Sequence, residues 1–333
     1  MTEVLLTVAG LIVIGAVFAD ACMTTLGVSG GAGPLTSVIL GRCWRLLMRF
    51  HKKDRESRAL ASAGVVFVFM ALMVWVLALW LGWVLVFAGS DAIVHISTGE
   101  PASFAGEIYF TGFAIITLGT GQYDVTSDAW GIITALASFT GFFLVTLSIA
   151  YLVSVVTAVV ARRALAIQVN GLGESPTSIL ELGWDGTCFT DHFHQQLTSL
   201  TSIVAVSAEQ HLAYPVLNYF HSASGDLAGP LAMANLEEAL MLLEEVVSPE
   251  SRPDRSVTRP LRFAIERYLR TAAHTSWTPD VEPPPPPPVE RLREIGIPLL
   301  GQDALDAALE SNEERRVMLH QLVTSDGWSW PDR

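Results

Sequence analysis

The chain has 333 residues, 51% of them hydrophobic and 16% charged. Soluble domains carry roughly 25% charged residues, so a protein lying wholly in water is excluded. The net charge of −13 sits in the second half, because Leu165 to Arg333 hold 24 acidic and 11 basic side chains and the first 164 residues are neutral overall. An acidic tail lacks the basic footprint that nucleic acid requires. Three widely spaced cysteines, Cys22, Cys43 and Cys188, form neither a disulfide framework nor a metal-site spacing.

The first apolar run is Val4 to Ala19, extended by Ala21-Cys22-Met23. At about 20 residues it reaches across a ~30 Å hydrocarbon core. A cleaved signal peptide needs basic residues ahead of the run, and the only flanking charge is Glu3. We therefore expect an uncleaved helix over 1–24 with its N-terminus outside. Gly27 to Pro34 (GVSGGAGP) breaks it. Residues 35–60 contain Arg42, Arg45, Arg49, Lys52, Lys53, Arg55 and Arg58, seven of the nine cations in the membrane half, which makes this stretch cytoplasmic by the positive-inside rule. Leu35, Val38, Ile39, Leu46, Leu47 and Phe50 share roughly one helical face. The stretch reads either as a helix in the inner headgroup layer or as a solvated linker.

Ala63 to Phe87, 25 residues without a charge, is the strongest spanning signal, with Trp80 and Trp83 toward its outer end. Gly89 to Ser103 carries Asp91, His95 and Glu100 and reads as an extracellular turret. Trp130 to Val160 is the last long apolar run, closed by Arg162-Arg163. Its 31 residues would reach ~46 Å as a helix, so it must tilt, bend or project beyond the bilayer. Gly141, near its middle, is a candidate hinge, with close helix packing as the alternative. Ser148, Ser154 and Thr157 either line an inner cavity or bond back to helix carbonyls.

Between the last two spans lies Phe104 to Tyr123 (FAGEIYFTGFAIITLGTGQY), apolar but too short and too Gly-rich to cross. Residues 105–116 make about three helical turns. Entering from outside, such a half-helix would end near mid-membrane, and its negative C-terminal end favours a cation. Thr117-Leu118-Gly119-Thr120-Gly121 follows, with glycines at alternate positions that tolerate dihedrals pointing successive carbonyls one way. A row of carbonyls replaces the water shell of a cation. One chain supplies one such loop, so a closed ring implies a homotetramer. Asp124 and Asp128, repeated around it, would concentrate cations at the mouth, or are simply solvated.

Over Ala63 to Arg163 the sequence resembles the potassium-channel superfamily, in which an outer helix, pore helix, filter and inner helix follow in this order. The family filter T-V-G-Y-G-D reads here Thr117-Leu118-Gly119-Thr120-Gly121-Gln122. The resemblance implies that the carbonyls of Thr117, Leu118, Gly119 and Thr120 and the Thr117 hydroxyl coordinate dehydrated ions. It departs at Thr120, where the family's bracing Tyr is missing, and at Gln122, where its Asp is missing. Both departures bear on K⁺ over Na⁺ selectivity; Tyr123 is placed to fold back and supply part of the bracing.

After Arg163 the composition changes. Gly171 to Pro176 is a linker, and helices are expected over Thr190–Glu209, Asp226–Val247, Leu261–Ala273 and about Gln302–Val323. Glu237, Glu238, Glu244 and Glu245 read as a solvated face. His192 and His194 would point about 200° apart on a helix, so these and His211 and His221 read as solvated or packed side chains rather than metal ligands. Pro283 to Pro288 is a stiff polyproline II rod of about 18 Å, read as a spacer.

The expected fold is an all-α membrane protein with three transmembrane helices, a re-entrant pore helix and filter loop, and a helical cytoplasmic domain. Its segments are 1–24, 35–60, a pore domain 63–163 (outer helix 63–87, pore helix 105–116, filter 117–121, inner helix 130–160), 164–282, the rod 283–288 and 289–333. The function expected is a tetrameric cation channel of the cell inner membrane; no enzyme is expected, since no nucleophile–base pair or H-E-x-x-H spacing occurs. No cofactor is expected beyond the permeant monovalent cation, K⁺ first. The partners expected are the lipid bilayer, further copies of the chain and an unidentified cytoplasmic regulator. The alternatives are a weakly selective channel, or a non-conducting membrane anchor or sensor whose tail recruits a partner.

Overall fold

The computed structural model describes residues 2–27, 32–50, 58–88, 90–222, 224–273 and 282–330. It is mostly helical, and it divides into two compact units: residues 1–43 with 66–154, and residues 44–65 with 155–333. Residues 51–57, the centre of the basic stretch, lie outside the described residues, as does 274–281.

The first unit contains α1 (Thr2–Leu26), the start of α2 (Pro34–Phe50), most of α3 (Arg58–Phe87), the short α4 (Phe104–Ile115) and the first part of α5 (Asp128–Asn170). Three helices, Thr2–Leu26, Ser62–Phe87 and Asp128–Asn170, are long and apolar enough to cross a membrane. α1 and α3 cross at small residues, where a Cβ on Gly10 would stand 2.5 Å from the Gly82 carbonyl oxygen; such close backbone approach is how helices pack without a hydrophobic drive from lipid. Trp75, Phe87 and Phe110 are fully buried in this unit, and the Phe87 ring meets Phe110 edge-on with centroids 5.5 Å apart.

One polar knot ties this unit. Asp20, 1% exposed on α1, accepts the Leu35 and Thr36 backbone N–H groups at 2.7 and 3.2 Å, the Thr36 hydroxyl at 2.5 Å and the Trp75 indole N–H at 2.8 Å. The carboxylate satisfies orphan donors at the start of α2 that hydrocarbon could not satisfy.

Two short strands, β1 (Ile93–His95) and β2 (Tyr123–Val125), pair antiparallel with Val94 opposite Asp124. The expected turret thus has a sheet that an all-α reading lacks, and it joins the chain entering α4 to the chain leaving the loop after it.

The second unit is helical: α6 (Pro176–Gly183), α7 (Asp191–Ala213), α8 (Gly229–Met241), α9 (Arg255–Ala273), α10 (Glu290–Glu294), α11 (Gln302–Ser311) and α12 (Glu313–Ser325). The expected inner helix 130–160 is longer than its apolar run. α5 continues to Asn170, and Leu165, Ala166 and Val169 are fully buried in the core of this unit. Arg162 there is no interfacial anchor: its side chain is buried, donates to the Leu217 and Phe220 carbonyls at 2.8 and 3.0 Å and pairs with Asp326 at 3.1 Å. Ser148 and Ser154 bond back to Leu144 and Ala150.

Two sequence expectations fail in this unit. Glu237 and Glu238 are each 1% exposed rather than solvated. Glu237 is held by Arg262 and Arg315, and Glu238 by Arg316 at 2.7 Å, because α8 is central and every face of it is covered. The proline run is no free spacer either. Pro284 and Pro287 are buried, matching the three-residue turn of polyproline II, and the Pro285 carbonyl accepts from Arg316 at 2.7 Å.

Candidate functional site

The backbone conformation around Thr117 is set by how α4 ends. Ser103 caps its start, accepting the Gly106 N–H at 3.2 Å. At its end the Thr117 N–H bonds to Ala114 and the Leu118 N–H to Phe113, at 3.1 and 2.9 Å. This pair of bonds is a Schellman motif with Thr117 in the left-handed position, where glycine is the usual occupant. Thr117 has φ +61°, Gly119 +109° and Gly121 +66°, while Leu118 and Thr120 between them are not left-handed. A β-branched residue in that region is strained by about 1–2 kcal/mol.

The handedness alternates residue by residue, so the run is not a strand with carbonyls directed to opposite edges in turn. Among the described residues the carbonyls of Thr117, Leu118, Gly119 and Gly121 accept no hydrogen bond. Thr120 differs: its carbonyl accepts the Tyr123 N–H at 3.3 Å and closes a turn. Leu118 is 66% exposed and Ile116 56% in the single chain.

Aromatic side chains sit behind the loop. A Cβ on Gly121 would lie 2.8 Å from the Tyr109 ring, and one on Gly106 would lie 2.6 Å from the Tyr123 hydroxyl. Tyr109 and Tyr123 have ring centroids 6.0 Å apart, and Tyr123 also meets His95 edge-on at 5.4 Å. No such backing touches Gly119, where a Cβ would meet nothing within 4 Å. Trp80 donates to the Ile108 carbonyl at 3.1 Å and Ser138 to the Ala114 carbonyl at 2.8 Å, which hold α4 to α3 and α5.

The remaining predicted residues fall as follows. Gln122 is exposed, and its carbonyl accepts the Ile96 N–H at 3.0 Å. Asp124 is exposed on β2, its carboxylate accepting the Val125 N–H at 2.8 Å, and Asp128 is exposed in the first turn of α5. Gly141 is buried within an unbroken helix, and a Cβ there would overlap the Ile115 carbonyl. That contact lets the end of α4 rest directly on the α5 backbone.

The chain is similar along nearly its whole length to YdjJ, an uncharacterized membrane protein of Bacillus subtilis (strain 168), with 30% identity over 326 residues, 97% of this chain and 94% of the relative. The chain belongs to that protein's family. It is a membrane protein, like its bacterial relative, with three candidate spans. No family model matches it, and no solved structure does.

Sequence reasoning missed Asp20 and its partners Thr36 and Trp75. The signal was present, since an ionisable residue inside an apolar run is a functional or structural flag by itself. It was masked by the high hydropathy of the residues around it. Tyr109 was missed because its ring reaches Gly121 only after the chain reverses.

Proposed function

We propose that this protein is a homotetrameric cation channel of the cell inner membrane, with its N-terminus outside and its C-terminal unit in the cytoplasm. The loop 117–121 is then the selectivity filter. One observation carries the reading: the carbonyls of Thr117, Leu118 and Gly119 are unpaired directly beyond the C-terminal end of α4. Unpaired backbone at membrane depth is tolerable only where protein or a water-filled path surrounds it. A helix C-terminus aimed at that path adds partial negative charge.

Further copies of the chain would cover Ile116 and Leu118, which stand open in one copy. The resemblance to potassium channels and the packing of Tyr109 behind Gly121 favour K⁺ as the permeant ion. The Thr120 carbonyl, engaged by Tyr123, leaves free three of the four backbone oxygens that the resemblance assigns to ion coordination, those of Thr117, Leu118 and Gly119, plus the Thr117 hydroxyl. α5 is one helix from Asp128 to Asn170, and on this reading tuning of the pore by the C-terminal unit passes along it.

Purified protein in liposomes should pass K⁺ or Tl⁺ faster than Na⁺, and cross-linking should stop at four copies. Gly119→Ala should abolish the flux although a Cβ has room, because alanine resists φ +109°. Gly121→Ala should do so by both strain and collision with Tyr109. Undiminished flux in both variants sinks the carbonyl filter.

A further inference from the structure

We infer that the second unit carries a pocket for a small phosphate-bearing ligand at the start of α9, a site that stands whether or not the protein conducts. A cavity of about 350 Å³ opens there. Arg252, Arg255, Arg259 and Arg262 line it, four of the 11 basic residues in a stretch whose balance is −13. In so acidic a tail, this concentration of guanidinium groups is the local exception.

Two carboxylates, Glu244 and Glu245, share the lining but are already engaged. Glu244 accepts two N–H groups of Arg262 at 3.0 and 2.6 Å, and Glu245 accepts from Ser311 and Asn312 at 3.0 and 2.8 Å. Arg252 directs Nε and Nη2 to the Val247 and Glu245 carbonyls at 2.7 and 3.2 Å, which leaves Nη1. Arg255 and Arg259 make no ion pair or hydrogen bond among the described residues. Four residues apart, they share one face of α9.

Thr258 supplies the second, independent observation. It is 3% exposed, lines the cavity, and its hydroxyl has no hydrogen-bond partner among the described residues. The hydroxyl oxygen is open to the cavity rather than sealed in the core, so it is available to a ligand on that side. Asp254 lies outside the lining and accepts the Ser256 N–H at 2.7 Å as the cap of this turn.

Two whole guanidinium forks, a third donor and a hydroxyl exceed what one carboxylate can accept. They match the three terminal oxygens and near-double charge of a phosphate. The volume leaves room for a nucleotide-sized body behind that group.

The test titrates the full chain in detergent with pyrophosphate, AMP, ATP and dioctanoyl phosphatidic acid, by calorimetry and by melting temperature. Saturable binding with an upward melting shift is expected, and the Arg255→Gln/Arg259→Gln variant should lose about tenfold or more in affinity. Its ligand-free melting temperature should stay unchanged, since neither side chain has a partner to lose; Thr258→Val should weaken binding less. Preference for phosphatidic acid assigns the phosphate to a lipid headgroup, and preference for AMP or ATP to a soluble ligand. Absence of saturable binding by all four probes, equal affinity in the double variant, or equally good displacement by citrate overturns the proposal.

Discussion

At Thr117 two demands meet in one residue. The Schellman end of α4 calls for glycine, yet the chain places a threonine there at φ +61°. Strain at such positions gathers where the residue has a task other than stability. Thr117→Gly relieves strain of about 1–2 kcal/mol and adds unfolded-state entropy of about 0.5–1 kcal/mol, so its melting temperature should match or slightly exceed that of the parent. The same variant removes the hydroxyl of the proposed filter and should lose or scramble ion flux. A Thr117→Gly protein that melts and conducts like the parent would reduce Thr117 to a helix cap. Gly119 and Gly121 were legible from their spacing, because only glycine takes left-handed backbone freely. The left-handed state of Thr117 was not, because it follows from how α4 ends.

Among the elements, α2 depends on a residue that is not its own. Its first N–H groups reach Asp20 on α1, and the same carboxylate holds Trp75 on α3. Asp20→Ala leaves buried donors unsatisfied at about 1–3 kcal/mol each, so it should melt well below the parent when followed by tryptophan fluorescence. Asp20→Asn keeps one acceptor oxygen and should lose much less. If both variants fall equally, the negative charge and not the acceptor geometry holds the helices. The proline rod teaches the same lesson in the second unit. Its conformation follows from proline alone, but its docking depends on Arg316, which also holds Glu238.

For the molecule as a whole, buried titratable groups in the second unit give stability a pH dependence of mixed sign. His211, buried with its Nδ1 3.0 Å from the Ser207 carbonyl, is pushed down to about 4 by burial and then by the charge of Arg162. Its unfolded value is near 6.5, so the unfolded chain binds the proton first as pH falls from 6.5 to 4, and the native state loses stability across that window. Burial pushes Glu237, Glu238 and Asp326 up against the pull of their arginines, which acts in the opposite sense as pH falls. Comparison with His211→Gln separates the two: the variant should lose less stability between pH 6.5 and 4, by on the order of 3 kcal/mol. Parallel melting curves over that range would show that His211 is charged in the native state.

The amino-acid order alone determined the three long apolar helices, the short apolar helix between the last two, the alternate glycines after it and the helical acidic tail. Each of these follows from local composition and periodicity, because a lone segment already carries the hydrophobicity and backbone freedom that define it. Only the tertiary structure decided the rest. Glu237 and Glu238 are buried because arginines from α9 and α12 neutralise them, Asp20 is tolerated because α2 and Trp75 bring donors to it, and Gly141 carries the end of α4. In each case the deciding group lies far away in the chain, and pattern along one segment cannot report a partner on another.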